Sequence, residues 1–142
     1  MIIGGNHIGL ALAQLAHVMG YRIIVIDPRS AFANRQRFPD VEAIETVYPH
    51  IAFDRHSITS TTAIAILSHD PKIDDPALEI ALQSSAFYVG ALGGRKTQAD
   101  RRQRLHQIGL TLPQIDALHA PIGLNIGAET PQEIALAILS EI

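Results

Sequence analysis

The sequence predicts a doubly wound α/β domain, a mainly parallel sheet with helices on both faces, and three observations carry that prediction. Apolar β-branched runs alternate with helical patterns, and no hairpin signal lies between them, so the strands are joined by helical crossovers. After Arg22, Ile23-Ile24-Val25-Ile26 is an uninterrupted apolar run, as expected of a strand covered on both faces. Gly4-Gly5-Asn6-His7-Ile8-Gly9 follows Ile2-Ile3 and opens a helical pattern, with Asp27 ending the next strand. That order (strand, glycine turn, helix, strand, acid) is the nucleotide-binding start of a Rossmann-like fold.

The elements follow in order. Apolar residues at 8, 11, 12, 15, 18 and 19 form one stripe that Gly20 ends, which gives a first helix. Asp27-Pro28 stops the second strand, and residues 30–40 read as a short helix or loop. Ala43 to Val47 fits a short strand, and Thr62 to Leu67 a buried one ending at Ser68-His69-Asp70-Pro71. Asp75 before Pro76 reads as an N-cap with proline at the first helical position, the helix running to about Ser84. Phe87 to Leu92 is a strand broken by Gly93-Gly94, and a basic helix runs from about Arg95 to Ile108. Thr111 with Gln114 and Thr130 with Glu133 fit capping boxes; Ile134, Ala135, Ile138, Leu139 and Ile142 give the last helix its core face. Between them, residues 120–127 have no helical period and read as a strand or loop returning to the sheet edge.

A chain of 142 residues, 47% hydrophobic, is expected to form a single domain over residues 1–142 with a substantial core. A net charge of −3 argues against nucleic acid as partner, and the lack of cysteine removes disulfides and thiolate metal sites. No apolar run approaches the ~20 residues that span a bilayer and no export signal is recognisable, so a cytoplasmic protein with no membrane association is expected. The first strand has little chain before it, so a cut at a domain boundary or a missing upstream segment is expected.

Four segments fall at carboxyl ends of strands, where open α/β sheets bind ligands: Gly4 to Gly9, Asp27 to Arg29, His69 to Asp75 and Gly90 to Lys96. The cofactor-binding candidates are therefore Gly4, Gly5, Asn6, His7, Gly9, Asp27, Arg29, His69, Gly90, Gly93 and Arg95. Asn6 replaces the middle glycine of the usual fingerprint, and asparagine tolerates a left-handed backbone next best. Asp27 suits a ribose hydroxyl and Arg29 a 2′-phosphate, so NAD and NADP both remain open. Arg95 and Lys96 at a helix N-terminus are misplaced cations unless an anion binds there, whereas Arg101, Arg102 and Arg104 read as a solvated face. His69, Asp70 and His119 are the candidates for proton transfer. Histidine spacing gives no metal site, and no hydrolase or ATPase motif occurs.

Taken together, GGNHIG, the acid of IDPR, SHDPKIDDPAL, FYVGALGGRKT and HAPIGLNIGAETPQEIALAILSEI resemble the C-terminal Rossmann-like domain of the XdhC/CoxI family of xanthine dehydrogenase accessory proteins, over nearly the whole chain. The resemblance implies a chaperone-like role in maturing molybdenum hydroxylases: binding the molybdenum cofactor, aiding its sulfuration and delivering it to the apoenzyme. It implies xanthine dehydrogenase or a similar apoenzyme as partner, a cysteine desulfurase as a further one, and possible homo-oligomers. Gly4, Asn6, His7 and Gly9 match the family's turn, with Asn6 a departure; Gly94, Asn125 and Pro28 depart where members often carry serine, aspartate and a second acid. Members usually carry another domain upstream. Two other readings stand beside this one: an NAD(P)-dependent oxidoreductase with His69 or His119 as proton donor, and an interaction module with a vestigial nucleotide fold.

Overall fold

A computed structural model describes residues 1–142. Five strands, β1 (Ile2–Ile3), β2 (Ile24–Ile26), β3 (Ala43–Glu45), β4 (Ala63–Ile66) and β5 (Tyr88–Ala91), form an all-parallel sheet in the order β3-β2-β1-β4-β5. The helices are α1 (His7–Val18), α2 (Pro49–Arg55), α3 (Pro71–Ala81), α4 (Arg95–Gln107), α5 (Leu112–Asp116) and α6 (Pro131–Glu141). The order reverses at β1, which pairs with β2 on one side and β4 on the other, so the crevice beyond β1 and β4 is the topological switch point.

Successive strand residues face opposite sides, and this alternation divides the interior into two cores. Ile2, Val25 and Ala65 pack with Leu12 of α1 and Ala135 and Ile138 of α6. Ile3, Ile26, Ile66 and Val89 pack on the other face with Phe53 of α2, Ile73, Ala77 and Leu78 of α3, and Leu105 of α4. Ile3, Ile26, Ile66, Leu78 and Ile138 are fully enclosed. Each such side chain contributes ~1.5–3 kcal/mol of transfer free energy, so the helices are held by the sheet more than by their own propensity.

The expected strands are present and shorter at their ends. Two local readings are corrected. Helix α3 begins at Pro71 under an Asp70 cap, whose carboxylate accepts from Lys72 N–H, so Asp75 and Pro76 lie inside it. Two Asp-Pro pairs compete as helix starts in this sequence, and the first wins because it directly follows β4. Helix α2, absent from the sequence reading, starts with Pro49 at its first position. Residues 30–40 form turns, tied by the Arg35 guanidinium to the carbonyls of Val41 and Glu42. Beyond β5, His119 bridges Gly90 in parallel, with Ala91 N–H donating to His119 O at 3.0 Å, so the loop extends the sheet as expected.

Candidate functional site

The turn after β1 is built by close approaches. Gly4 has φ +109°, and its Cα lies against the Leu67–Ser68 backbone; a Cβ on Gly9 would stand 2.3 Å from Gly4 O. A Cβ on Gly5 would stand 2.5 Å from Phe32 O, so the 29–33 turn lies directly on the glycine turn. Asn6 is extended (φ −74°) rather than left-handed, which corrects the reason given for tolerating it there. Its Oδ1 accepts from Gly9 N–H at 2.9 Å and its Nδ2 donates to Leu67 O at 2.6 Å, so one amide caps α1 and ties β1 to β4. The N–H groups of Asn6, His7 and Ile8 have no acceptor within the chain, as expected at a helix start, and His7 is exposed. No acid lies in that first turn.

Asp27 follows β2 and is fully buried. Its Oδ1 accepts from Arg29 N–H at 3.0 Å and Arg29 Nε at 2.8 Å; its Oδ2 accepts from Gly5 N–H at 2.9 Å and Arg29 Nη2 at 2.7 Å. These four donors fill the roughly four acceptor positions of a carboxylate. Burial works against its charged form, but the Arg29 side chain, the two N–H donors and the Arg29 charge outweigh it and hold the carboxyl below its ordinary range. Asp27 thus has no acceptor free for a ribose hydroxyl. The Arg29 guanidinium stays half-exposed, 4.1 Å above the Phe32 ring centroid. Arg37 approaches the same ring at 5.8 Å and donates from Nη2 to Gly5 O, while its buried Nε has no partner.

At the end of β4, His69 is exposed and is the one non-glycine residue in the left-handed region (φ 63°). Ser68 and Asp70 flank it. The Ser68 hydroxyl donates to Asp74 Oδ1 and accepts from Asp70 N–H, so this connection is held on both sides while the His69 side chain is exposed. Beyond β5, Gly93 (φ +136°) precedes the exposed Arg95 and Lys96 in the first turn of α4, where Gly94 supplies no side-chain cap and no acid is present.

Two sequence candidates lie elsewhere. Gly90 sits inside β5, and a Cβ there would meet Ile122 at 2.6 Å and Tyr88 Oη at 2.7 Å, so its place is in packing. His119, paired with Gly90, lies against the Tyr88 ring at 4.5 Å and 3.6 Å from Glu141 Oε1. It is thus held by α6 and the middle of β5 and is not brought to His69. Burial and the Glu141 bond raise the Tyr88 hydroxyl; Glu141 itself stays below its usual range because Tyr88, Gly123 N–H and His119 overcome its burial.

The solvated-face reading of Arg101 is also corrected. Arg101 is 2% exposed, pairs with the equally buried Asp74 at 3.1 Å and donates to Leu92 O and Gln98 Oε1. The signal was present: α4 offers only Ala99 and Leu105 as apolar residues, so a long charged stem had to fill part of its inner face. The Phe32–Arg37 pair was likewise not singled out, and Asp74 stood only as one titratable group of the His69 to Asp75 segment. A cavity of about 640 Å3 lies at the opposite, amino-terminal edge among Met1, Tyr21, Ile24, Thr62 and Ile142, and contains none of these residues.

This geometry defines a Rossmann-type α/β domain whose polar groups gather at the switch point. The chain belongs to a particular family of such domains: the model described as the XdhC Rossmann domain matches residues 1–142. The chain is 30% identical over its full length to 38% of the molybdenum cofactor insertion chaperone PaoD of Escherichia coli. It is 29% identical, again over its full length, to 41% of a probable xanthine dehydrogenase subunit of Bacillus subtilis. A crystal structure described as a xanthine dehydrogenase from Bacillus halodurans superposes with TM-score 0.84 and 28% identity, covering 99% of this chain and 40% of that one. The chain therefore spans about two fifths of the length of these relatives. No helix is long and apolar enough to cross a membrane.

Proposed function

We propose that this domain holds an anionic cofactor at the β1/β4 switch point, as the cofactor-holding part of an accessory protein that delivers the molybdenum cofactor to a molybdenum hydroxylase of the xanthine dehydrogenase type. The observation that carries the reading is the set of three open N–H groups on Asn6, His7 and Ile8, facing the crevice with no acid in the turn. A phosphate fits there. Arg95 and Lys96 on the next helix start supply a second positive patch for the same ligand, and His69 stands between the two where it meets the ligand's polar end. The cofactor, when bound, supplies the molybdenum chemistry; these residues hold and orient it. The relatives' printed names support the reading, as does family membership. On this reading the partners are the apoenzyme and the sulfur donor that completes its cofactor, in the cytoplasm.

NAD(P) is the other phosphate-bearing ligand the turn accommodates. A dehydrogenase reading is left with His69 alone as its proton donor, since His119 is held by α6.

The test is calorimetry with molybdenum cofactor, NAD and NADP on the chain and on His7→Pro. Proline is tolerated at the first helical position, and the extended Asn6 before it needs no change, so the variant removes one N–H and the imidazole while keeping α1. The expected result is binding that falls at least ~tenfold with an unchanged melting temperature, as loss of a charge-assisted hydrogen bond gives. Unchanged affinity, or no binding by any of the three ligands, would overturn the reading.

A further inference from the structure

We infer that the ligand held at this edge presents a phosphomonoester, not a vicinal diol, to the end of β2: Arg29 and Arg37, clustered on Phe32, form its receptor. The inference rests on the cofactor-holding reading above and deepens it.

The end of β2 is where Rossmann-type domains meet the ribose, and an acid there ordinarily takes the diol. Here Asp27 is closed to that role, because Gly5 and Arg29 occupy all its acceptor positions. What faces outward instead is the guanidinium that closes it. Arg29 uses two of the five N–H groups of a guanidinium on Asp27. The other three, on Nη1 and Nη2, point away from the carboxylate, and the side chain is 42% exposed. Asp27 fixes the fork and the Phe32 ring supports its face, so little rotamer entropy remains to be lost on binding.

Arg37 is the second observation. It forms no ion pair, its Nη2 reaches Gly5 O at 3.0 Å in the cofactor turn, and its Nε is buried without an acceptor. A buried donor left unpaired is costly unless a ligand or water satisfies it. With Asp27 neutralised by Arg29, Arg37 is the uncompensated charge beside the turn. Two arginines on one ring suit a phosphate dianion, which guanidinium forks bind in bidentate fashion. A neutral diol has no use for them. Asp70, whose field acts on Arg29, caps α3 and leaves the guanidinium edge open.

The chemistry is shared by two sources, the 2′-phosphate of a phosphorylated nucleotide and the terminal phosphate of a pterin. Calorimetry with paired probes separates them: NADP+ against NAD+, 2′,5′-ADP against 5′-ADP, and metal-free molybdopterin against its dephosphorylated form. The phosphorylated member of at least one pair is expected to bind at least ~tenfold tighter, a margin of about 1.4 kcal/mol. The pair that shows the margin names the source. Arg37→Ala, which leaves the Asp27–Arg29 clasp intact, and Arg29→Lys, which keeps a cation on Asp27, are each expected to shrink the margin to about threefold or less. Equal affinity within every pair, tighter binding of the unphosphorylated member in every pair, or a margin that survives both variants would overturn the inference. If ligands bind equally within pairs yet weaken in His7→Pro, the cofactor-holding reading stands and only the phosphomonoester receptor falls. If no probe binds at all, both fall together.

Discussion

Two buried carboxylates, each facing an arginine, sit at the carboxyl edge of the same sheet and are built to opposite ends. Asp27 receives four donors, two of them backbone N–H groups, and is held below its ordinary pKa; its arginine keeps one edge in water. Asp74 receives the Ser68 hydroxyl and one Arg101 nitrogen, and burial pushes it above its ordinary value against both partners. Arg101 is as buried as its acid and leaves its Nε without an acceptor. The first pair is a fully satisfied anion that presents a cation outward. The second is an incompletely satisfied tie between α3, α4 and the ends of β4 and β5. Accessibility of the cation, not the presence of an ion pair, separates the two.

Breaking the buried pair from one side should have the largest effect. Arg101→Met leaves the buried Asp74 without its cation, with the Ser68 hydroxyl as its remaining side-chain donor, and is expected to cost about 3–5 kcal/mol, read by urea denaturation. The double change Arg101→Met with Asp74→Leu should recover most of that loss; failure to recover it would show that the hydrogen bonds to Leu92 O and Gln98, not the ion pair, hold α4.

Asp27→Asn comes next, at about 1–3 kcal/mol near neutral pH, because an amide cannot accept from four donors. The pH dependence sharpens the contrast. Since Asp27 has a depressed folded pKa, the unfolded chain binds more protons through the carboxylate range. Its contribution is complete above the unfolded pKa of ~3.9 and is lost as pH falls through the lower folded value. Asp74 carries the opposite sign: its folded pKa is raised, so stability falls as pH rises from the unfolded value to the folded one. Denaturation midpoints measured from pH 7 to pH 3 should therefore converge for wild type and Asp27→Asn at the acid end, and should rise less steeply with pH in the variant.

Arg29→Lys should cost about 1 kcal/mol, since a cation stays on Asp27 but one ammonium replaces the two bonds of the fork. Arg95→Ala should leave the melting temperature unchanged while weakening cofactor binding; equal loss of both would make Arg95 part of the fold.

The strand order and every helix but α2 were legible because β-branched runs, the 8-11-12-15 stripe and the capping residues report burial and chain ends directly. The turn at Gly4 to Gly9 was legible for the same local reason. The state of Asp27 was not, because its partners are a backbone N–H from another strand connection and a side chain whose direction the sequence leaves open. Arg101 was misread because a run of arginines has no periodic signal until the inner face of its helix is known. His119 was a candidate by residue type, and only its pairing with Gly90 places it at the β5 border, away from His69.

The lateral borders of the sheet carry one more consequence. Beside β5 the backbone is already engaged by the His119 segment, and at the other border β3 offers only three residues, with the Arg35 guanidinium on the carbonyls that lead into it and Glu45 held by Arg55 and His56. A foreign extended chain finds no long ladder to join at either side. Growth of this domain into fibrils by edge-on strand addition is thereby discouraged, even though its strands are among the most apolar segments of the molecule.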